Sequence, residues 1–296
     1  MAVQAMKPAP FTYHDPTSVA EAADLLTRLD NARVLAGGQS LMPMMNFRLA
    51  MPDHLVDLNK IGELAGIRLE GDTLLLGAMT RQRDVEFSPE IARAFPILAA
   101  ALRQVGHRQT RNRGTIGGSL CHLDPAAELV NLAALYDATL EVRSTSGSRE
   151  LAFADFARAT MTTGLKPGEL LAGVSLTAYS PRHGWAFAQV SRRHGDLAIA
   201  TVAALVELDG GGAIARAALA ISGLMALPVR PEAIETALVG ERPSHEVFRA
   251  AAAAAETLEA VGDAYAPAAY RRHLARILTY RALDEAADRA RARSAQ

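Results

Sequence analysis

The stretch Arg33-Val34-Leu35-Ala36-Gly37-Gly38-Gln39-Ser40 runs an extended apolar segment straight into a glycine pair followed by a hydroxyl residue. Adjacent glycines let the backbone turn sharply and present consecutive N–H groups with no Cβ in the way, so this loop can hold a phosphate, with Ser40 adding a hydroxyl donor. A Gly-Gly turn after a strand is more often only a turn, and this one is neither a P-loop nor a GxGxxG fingerprint. Upstream, past Phe11-Thr12-Tyr13, the segment Ser18 to Leu26 has apolar residues at helical spacing and an N-cap at Thr17 or Ser18. Downstream, Leu55-Val56-Asp57-Leu58 follows Pro52-Asp53 and reads as a second strand. The chain therefore opens as strand, helix, strand, loop.

A second α/β unit begins near residue 60. Gly71-Asp72 makes a hairpin turn between Gly66-Ile67-Arg68-Leu69 and Thr73-Leu74-Leu75-Leu76-Gly77, and Phe95 to Val105 has helical composition. Strands are expected at Ala138 to Arg143, Leu170 to Leu176 and Val202 to Leu208, the last running into the turn Asp209-Gly210-Gly211-Gly212. From about residue 231 the chain is alanine-rich, with helices at Phe248 to Ala260 and Ala268 to Tyr280 and then a charged tail, Asp288-Arg289-Ala290-Arg291, expected to fray. The result is an α+β chain with boundaries near 58 and 177, dividing it into 1–58, 59–177 and 178–296.

Three further constellations carry chemistry. Arg111-Asn112-Arg113-Gly114-Thr115-Ile116-Gly117-Gly118-Ser119 is a second paired glycine, flanked by hydroxyls and preceded by His107-Arg108-Gln109-Thr110. Two such loops converging on a pyrophosphate would supply N–H donors without a net basic protein; the alternative is two unrelated turns and a solvated basic face. In His122-Leu123-Asp124-Pro125-Ala126-Ala127-Glu128-Leu129, Asp124 caps a helix with Pro125 at its first position, leaving Glu128 near the second turn. A carboxylate there can accept ribose or ribityl hydroxyls, although such a residue is more often simply exposed. Gln189-Val190-Ser191-Arg192-Arg193-His194-Gly195-Asp196 takes a strand into a charged turn whose ion pairs lie at a domain edge, face a partner or are solvated.

Bulk properties narrow the function classes. The 296 residues hold 31 Lys plus Arg against 32 Asp plus Glu, so any anion site must be local, and neither nucleic acid nor an anionic membrane is implied. Half of the residues are hydrophobic, enough for a substantial core. Cys121 is the sole cysteine, which excludes an intrachain disulfide, a CxxC pair and an all-cysteine iron-sulfur or zinc site from this chain alone. With His122 it makes an incomplete site, so neither a metal nor a catalytic residue is assigned. Met1 to Phe11 lacks the apolar core of a signal peptide and no apolar run reaches membrane-helix length, so a cytoplasmic chain without a membrane span is expected.

Four ordered motifs, Ala36 to Pro43, Gly114 to Ser119, Asp124 to Leu129 and Ser191 to Asp196, together resemble the medium, FAD-binding subunit of the carbon monoxide dehydrogenase and xanthine dehydrogenase family of molybdenum hydroxylases. The likeness runs from about Phe11 to the C-terminal helices. It implies a PCMH-type FAD-binding fold of two α/β subdomains followed by a smaller C-terminal α+β domain. It implies that Ala36, Gly37, Gly38, Gln39, Ser40 and Leu41, with Thr115, Ile116, Gly117, Gly118 and Ser119, cradle the FAD pyrophosphate. Glu128 falls where relatives place an acidic cofactor contact, Leu171 where an apolar residue lies against FAD, and Val105 at another cofactor-facing position. Gln39 departs from a common histidine, Ser119 from a frequent Asp or Asn, and Gln189 from a lysine. Loss of that lysine's charge would weaken stabilisation of an anionic reduced flavin.

The implied machine is a dimer of heterotrimers. A molybdopterin large subunit oxidises the substrate, a small subunit with 2Fe-2S clusters relays electrons, and FAD on this chain passes them to an external electron acceptor. The competing readings are a phosphate- or nucleotide-binding module without a redox role and a self-sufficient flavin oxidase, the latter disfavoured because no general base stands near the second loop.

Overall fold

A computed structural model describes residues 6–294. The first unit is β1 (Thr12–His14), α1 (Val19–Arg28), β2 (Ala32–Leu35), α2 (Leu41–Asn46) and β3 (His54–Asp57), with the strands in the order β1-β3-β2, all parallel. Parallel strands need crossover connections, and α1 joins the edge strands β1 and β2 while α2 joins β2 to the central β3. Its start is fixed by Ser18, whose hydroxyl accepts from the Glu21 N–H. The apolar face of α1, Ala22 and Ala23, packs with Val56, Leu58, Ile61 and Leu64 and also with Met79, Leu170 and Ala172 of the next unit. One small cluster therefore joins two sheets.

The second unit contains β4 (Ile67–Glu70), β5 (Thr73–Gly77), α3 (Gln82–Phe87), α4 (Pro89–Ala94), α5 (Pro96–Leu102), α6 (Arg108–Arg113), α7 (Ile116–His122), α8 (Glu128–Leu135), β6 (Thr139–Ser144), β7 (Gly147–Ala152), α9 (Phe153–Phe156), β8 (Ala157–Ala159), β9 (Thr162–Thr163) and β10 (Leu170–Thr177). Five strands form an antiparallel sheet, β4-β5-β10-β6-β7. Gly71, at φ +59°, makes the β4–β5 turn. Strand β10 shifts register between Leu171 and Gly173, a bulge that directs the Ala172 carbonyl to the Ala78 N–H at 2.8 Å. The helix after Asp124 starts three residues later than its sequence suggests. Asp124 instead closes an Asx turn on the Ala126 N–H at 2.8 Å, and Glu128 becomes the first residue of α8, in its first turn.

The third unit is the antiparallel sheet β11 (Gly184–Val190), β12 (Ala200–Leu208) and β13 (Ile214–Ser222), with α10 (Glu232–Leu238), α11 (His245–Glu256) and α12 (Ala268–Ser294). Strand β12 is buried on both faces, and the period-two alternation sorts its residues between them. Ala203 and Leu205 join the core of the second unit, whereas Val202, Ala204 and Val206 pack with Leu278, Ala282 and Leu283 of α12. The sheet thus lies between the helices of the second unit and its own. Asn131, fully buried on α8, donates to the Ala220 carbonyl at 3.0 Å and the Ser222 hydroxyl at 2.8 Å and fastens the two units together.

Two C-terminal expectations are corrected. Helix α11 stops at Glu256, short of residue 260. The charged tail continues α12 as far as Ser294, with Ala286, Ala287 and Ala290 fully buried, because those alanines lie against β11. The approach is so close that a methyl group at Gly184 would stand 1.7 Å from the Ala286 carbonyl oxygen. Gly184→Ala is expected to force α12 off the sheet and destabilise the chain by about 1–3 kcal/mol, the usual cost of overpacking. Thermal unfolding of the variant checks this; an unchanged Tm would mean that α12 is not packed in this way.

Candidate functional site

The glycine loop after β2 and the one after α6 meet. A Cβ on Gly37 would lie 2.3 Å from the Arg113 carbonyl oxygen and 2.9 Å from the Gly114 Cα, so only glycine permits this backbone-on-backbone contact. Gly38 adopts φ +72°, the left-handed region, and turns the chain into α2. No backbone or side-chain acceptor among the described residues takes the N–H groups of Gly37, Gly38, Gln39, Ser40 or Leu41. Five consecutive donors without a protein partner, on a partly exposed loop, form an anion-binding nest.

The second loop is built differently. Ile116 N–H donates to the Thr80 carbonyl at 3.0 Å, Gly117 N–H to the Ala78 carbonyl at 2.8 Å and Ser119 N–H to the Thr115 carbonyl at 3.2 Å. Gly118 N–H goes to the Thr115 hydroxyl at 3.0 Å, which caps α7. The donors expected from both loops therefore come from the first, while the second forms the seat beneath it. Gly117 is required by the Ala78 backbone, whose carbonyl oxygen would stand 2.8 Å from an added Cβ. A Cβ on Gly118 would lie 3.5 Å from that of Ala36, so this turn also faces the first loop.

A polar relay that sequence reading missed ties the loops across the two sheets. Asn59 donates to the Ala36 carbonyl at 3.0 Å, Arg81 donates to the Asn59 side-chain oxygen at 2.5 Å, and Arg81 also donates to the Arg113 carbonyl at 2.7 Å. Burial, and then the nearby Arg113, lower the Arg81 pKa. Arg111 makes a buried two-pronged pair with Glu86, at 2.7 and 3.2 Å, and donates to the Val105 carbonyl at 3.0 Å, which fixes the segment leading into the second loop. A cleft of about 450 Å3 opens beside this relay, lined by Asn59, Gly66, Met79, Thr80, Arg81 and Asp84 among others.

The remaining residues of interest lie at different distances from this junction. Leu171 is buried next to the Ala172 bulge that bonds Ala78, the residue under Gly117, and so joins the same framework. Glu128 makes its side-chain bond elsewhere, accepting from Gln189 of β11 at 3.2 Å. Far from being an exposed helix residue, it is only 7% accessible. The charged turn after β11 is held by its glycine, because a Cβ at Gly195 would meet the His107 ring at 2.7 Å. Arg192 stacks over Tyr265 at 4.6 Å, and its ion pair with Asp196 is long, at 3.9 Å. Burial pushes the Cys121 thiol up to about 12, so it stays protonated. Among the described residues no group of three or more His, Cys, Asp and Glu could hold a metal, and no helix is long and apolar enough to cross a membrane.

Comparison with known proteins places this geometry. Residues 9–177 match the family described as FAD binding domain in molybdopterin dehydrogenase, and residues 185–286 match the CO dehydrogenase flavoprotein C-terminal domain. The chain is 38% identical to the 6-hydroxypseudooxynicotine dehydrogenase complex subunit alpha of Paenarthrobacter nicotinovorans, over 97% of each chain. It is 36% identical to the carbon monoxide dehydrogenase medium chain of Afipia carboxidovorans, over 97% of this chain and all of that one. Among solved structures, carbon monoxide dehydrogenase from Hydrogenophaga pseudoflava superposes with a TM-score of 0.92 at 37% identity, covering 95% of this chain and 99% of the other.

Glu128 gives a testable electrostatic consequence. Burial lifts its pKa, because its side-chain partner Gln189 is neutral and offsets little of the lost solvation. The folded chain then binds a proton at pH values where the unfolded chain has released it. The stability from this site is fully present below the unfolded pKa and is lost as pH rises through the folded one. Glu128→Gln, which cannot ionise, should therefore unfold at a higher temperature than wild type at about pH 8, with the gap closing near about pH 4, below the ordinary glutamate value. Melting curves across that range check it; a gap that is absent or grows toward acid pH would show that Glu128 is charged without penalty.

Proposed function

The chain belongs to the family of FAD-binding medium subunits of molybdenum hydroxylases, and from that premise we propose that it is the electron-transfer subunit of a heterotrimer. The chain carries the family's FAD binding domain, and its relatives are dehydrogenases, so it is an oxidoreductase subunit. In the proposed complex, which works in the cytoplasm as a dimer of heterotrimers, a large subunit holds molybdopterin and a small subunit holds 2Fe-2S clusters. FAD, held by the residues named below, would supply the redox chemistry that links the iron-sulfur subunit to an external acceptor.

The observation that carries the reading is the nest itself. Five unpartnered N–H groups from Gly37 to Leu41 fit a diphosphate, and the Gly37 cradle is one that any Cβ would fill. In this proposal Ala36 to Leu41 hold the diphosphate directly. Thr115 to Ser119 fix the position of the nest from below, and Thr115 and Ser119 also bring hydroxyls to it. Leu171 supplies an apolar wall and Glu128 an acceptor for polyol hydroxyls. The FAD-holding part is assigned to 1–58 and 59–177, which the Gly37 contact with Arg113 and Gly114 brings together. Residues 178–296 form the C-terminal domain, and its Gln189 reaches Glu128.

The purified chain, alone and with its iron-sulfur partner, should show the visible bands of oxidised flavin and release FAD on acid treatment. Asn59→Ala should retain several-fold less FAD than wild type while melting within a few degrees of it, since the change removes an exposed side chain and its bond to Ala36. A colourless protein that refuses added FAD in the presence of its partners would overturn the assignment. Full FAD retention by Asn59→Ala would overturn the role of the relay.

A further inference from the structure

The parallel sheet of the first unit places two imidazoles against each other on its edge, away from the glycine loops. His14 ends β1, an edge strand of only three residues, and His54 begins the central strand β3, where it pairs with Thr12, two residues before His14. His14 Nε2 and His54 Nδ1 stand 3.1 Å apart, with ring centroids 5.2 Å apart and planes inclined at 45°. Both side chains are half-buried.

We propose that His14 and His54 form a two-imidazole site for a borderline divalent cation, Zn2+, Cu2+ or Ni2+, which staples the edge strand to the sheet. At metal–nitrogen bonds of about 2.0–2.1 Å, neighbouring ligands lie about 2.9 Å apart in a square or octahedral set and about 3.3 Å apart in a tetrahedral one. The observed 3.1 Å falls between these values. One of the two facing nitrogens carries the proton of the hydrogen bond; on metal binding that proton moves to the other nitrogen of the same ring, both facing lone pairs go to the cation, and water completes the coordination. Imidazole selects these ions over Mg2+ and Ca2+, which prefer oxygen ligands.

The pair is preorganised from the backbone up. Thr12 N–H donates to the Asp53 carbonyl at 2.8 Å, Tyr13 donates to Asp57 at 2.6 Å, and Asp15 pairs with Lys60. Three successive anchors thus hold β1 in register around His14, so binding need not order the strand. Asp57 and Asp15 are engaged by Tyr13 and Lys60, and Asp53, which precedes His54, accepts from Asn31 at 2.9 Å, so the two imidazoles are the protein ligands.

The test uses the full-length chain dialysed against EDTA, with Zn2+ titrated calorimetrically and Cu2+ followed by electron paramagnetic resonance. One equivalent should bind with a spectrum showing two equatorial nitrogens, and the ion should raise the melting temperature. His14→Gln and His54→Gln should each weaken binding by more than about tenfold, in line with loss of one of two ligands, and leave FAD content unchanged. Binding that survives in the double variant belongs to other histidines and overturns the proposal, as does wild-type protein that binds no ion. If a variant fails to fold, the wild-type spectrum decides, because fewer than two coordinated nitrogens excludes the pair.

Discussion

The contact between Gly37 and the Arg113-Gly114 backbone is the constraint from which the site follows. With any side chain at 37 the two loops would be forced apart, since its first carbon would sit 2.3 Å from a carbonyl oxygen that is itself fixed by Arg81. That contact turns one loop into a platform. Because Ile116, Gly117, Gly118 and Ser119 have all used their N–H groups on Thr80, Ala78 and Thr115, the platform is rigid, and the loop above it can leave five donors free without collapsing onto a neighbour. One loop is ordered so that the other can remain available, which is preorganisation in its simplest form.

The same arrangement explains how a chain of net charge −1 can hold a polyanion. Two arginines beside the loops are engaged in architecture: Arg81 with the Arg113 carbonyl and Asn59, Arg111 with Glu86 and the Val105 carbonyl. The donors of the nest itself are oriented backbone dipoles, whose strength does not depend on the pH of the medium or on mobile side chains. A basic patch would attract any anion over a long range. A nest of fixed N–H groups instead rewards one shape.

How much of this is legible in the sequence depends on how local the cause is. The Ser18 cap, the Gly71 turn and the Asp209 to Gly212 hairpin are set by a few adjacent residues, and each is readable from them. The glycine loops are readable as phosphate-type turns for the same reason. Their division of labour is not, because it rests on Ala78 and Thr80, which lie about as far along the chain from one loop as from the other. The full length of helix α12 is hidden because its buried stripe is alanine between arginines, a weak hydrophobic signal that becomes meaningful only when Gly184 offers a flat surface to meet it. Asn59 and Arg81 look like ordinary surface polar residues until the two sheets are brought together.

Glu128 shows where local reading ends and the role of the third unit begins. By sequence it is one more acidic residue near the second turn of a helix, most often simply exposed, and no special environment is implied. Its burial comes from β11, sixty-one positions away, through Gln189. A buried carboxylate facing a neutral amide is an unstable compromise: Gln189 leaves its own side-chain oxygen buried and unpartnered, and Glu128 is driven toward its protonated form. A donor supplied from outside the chain, such as a sugar hydroxyl, would satisfy either oxygen and remove the penalty. The seam of the second and third units thus holds an unpartnered acceptor beside a carboxylate with a raised pKa, and the C-terminal sheet creates that environment by burying the seam rather than by adding charge to it.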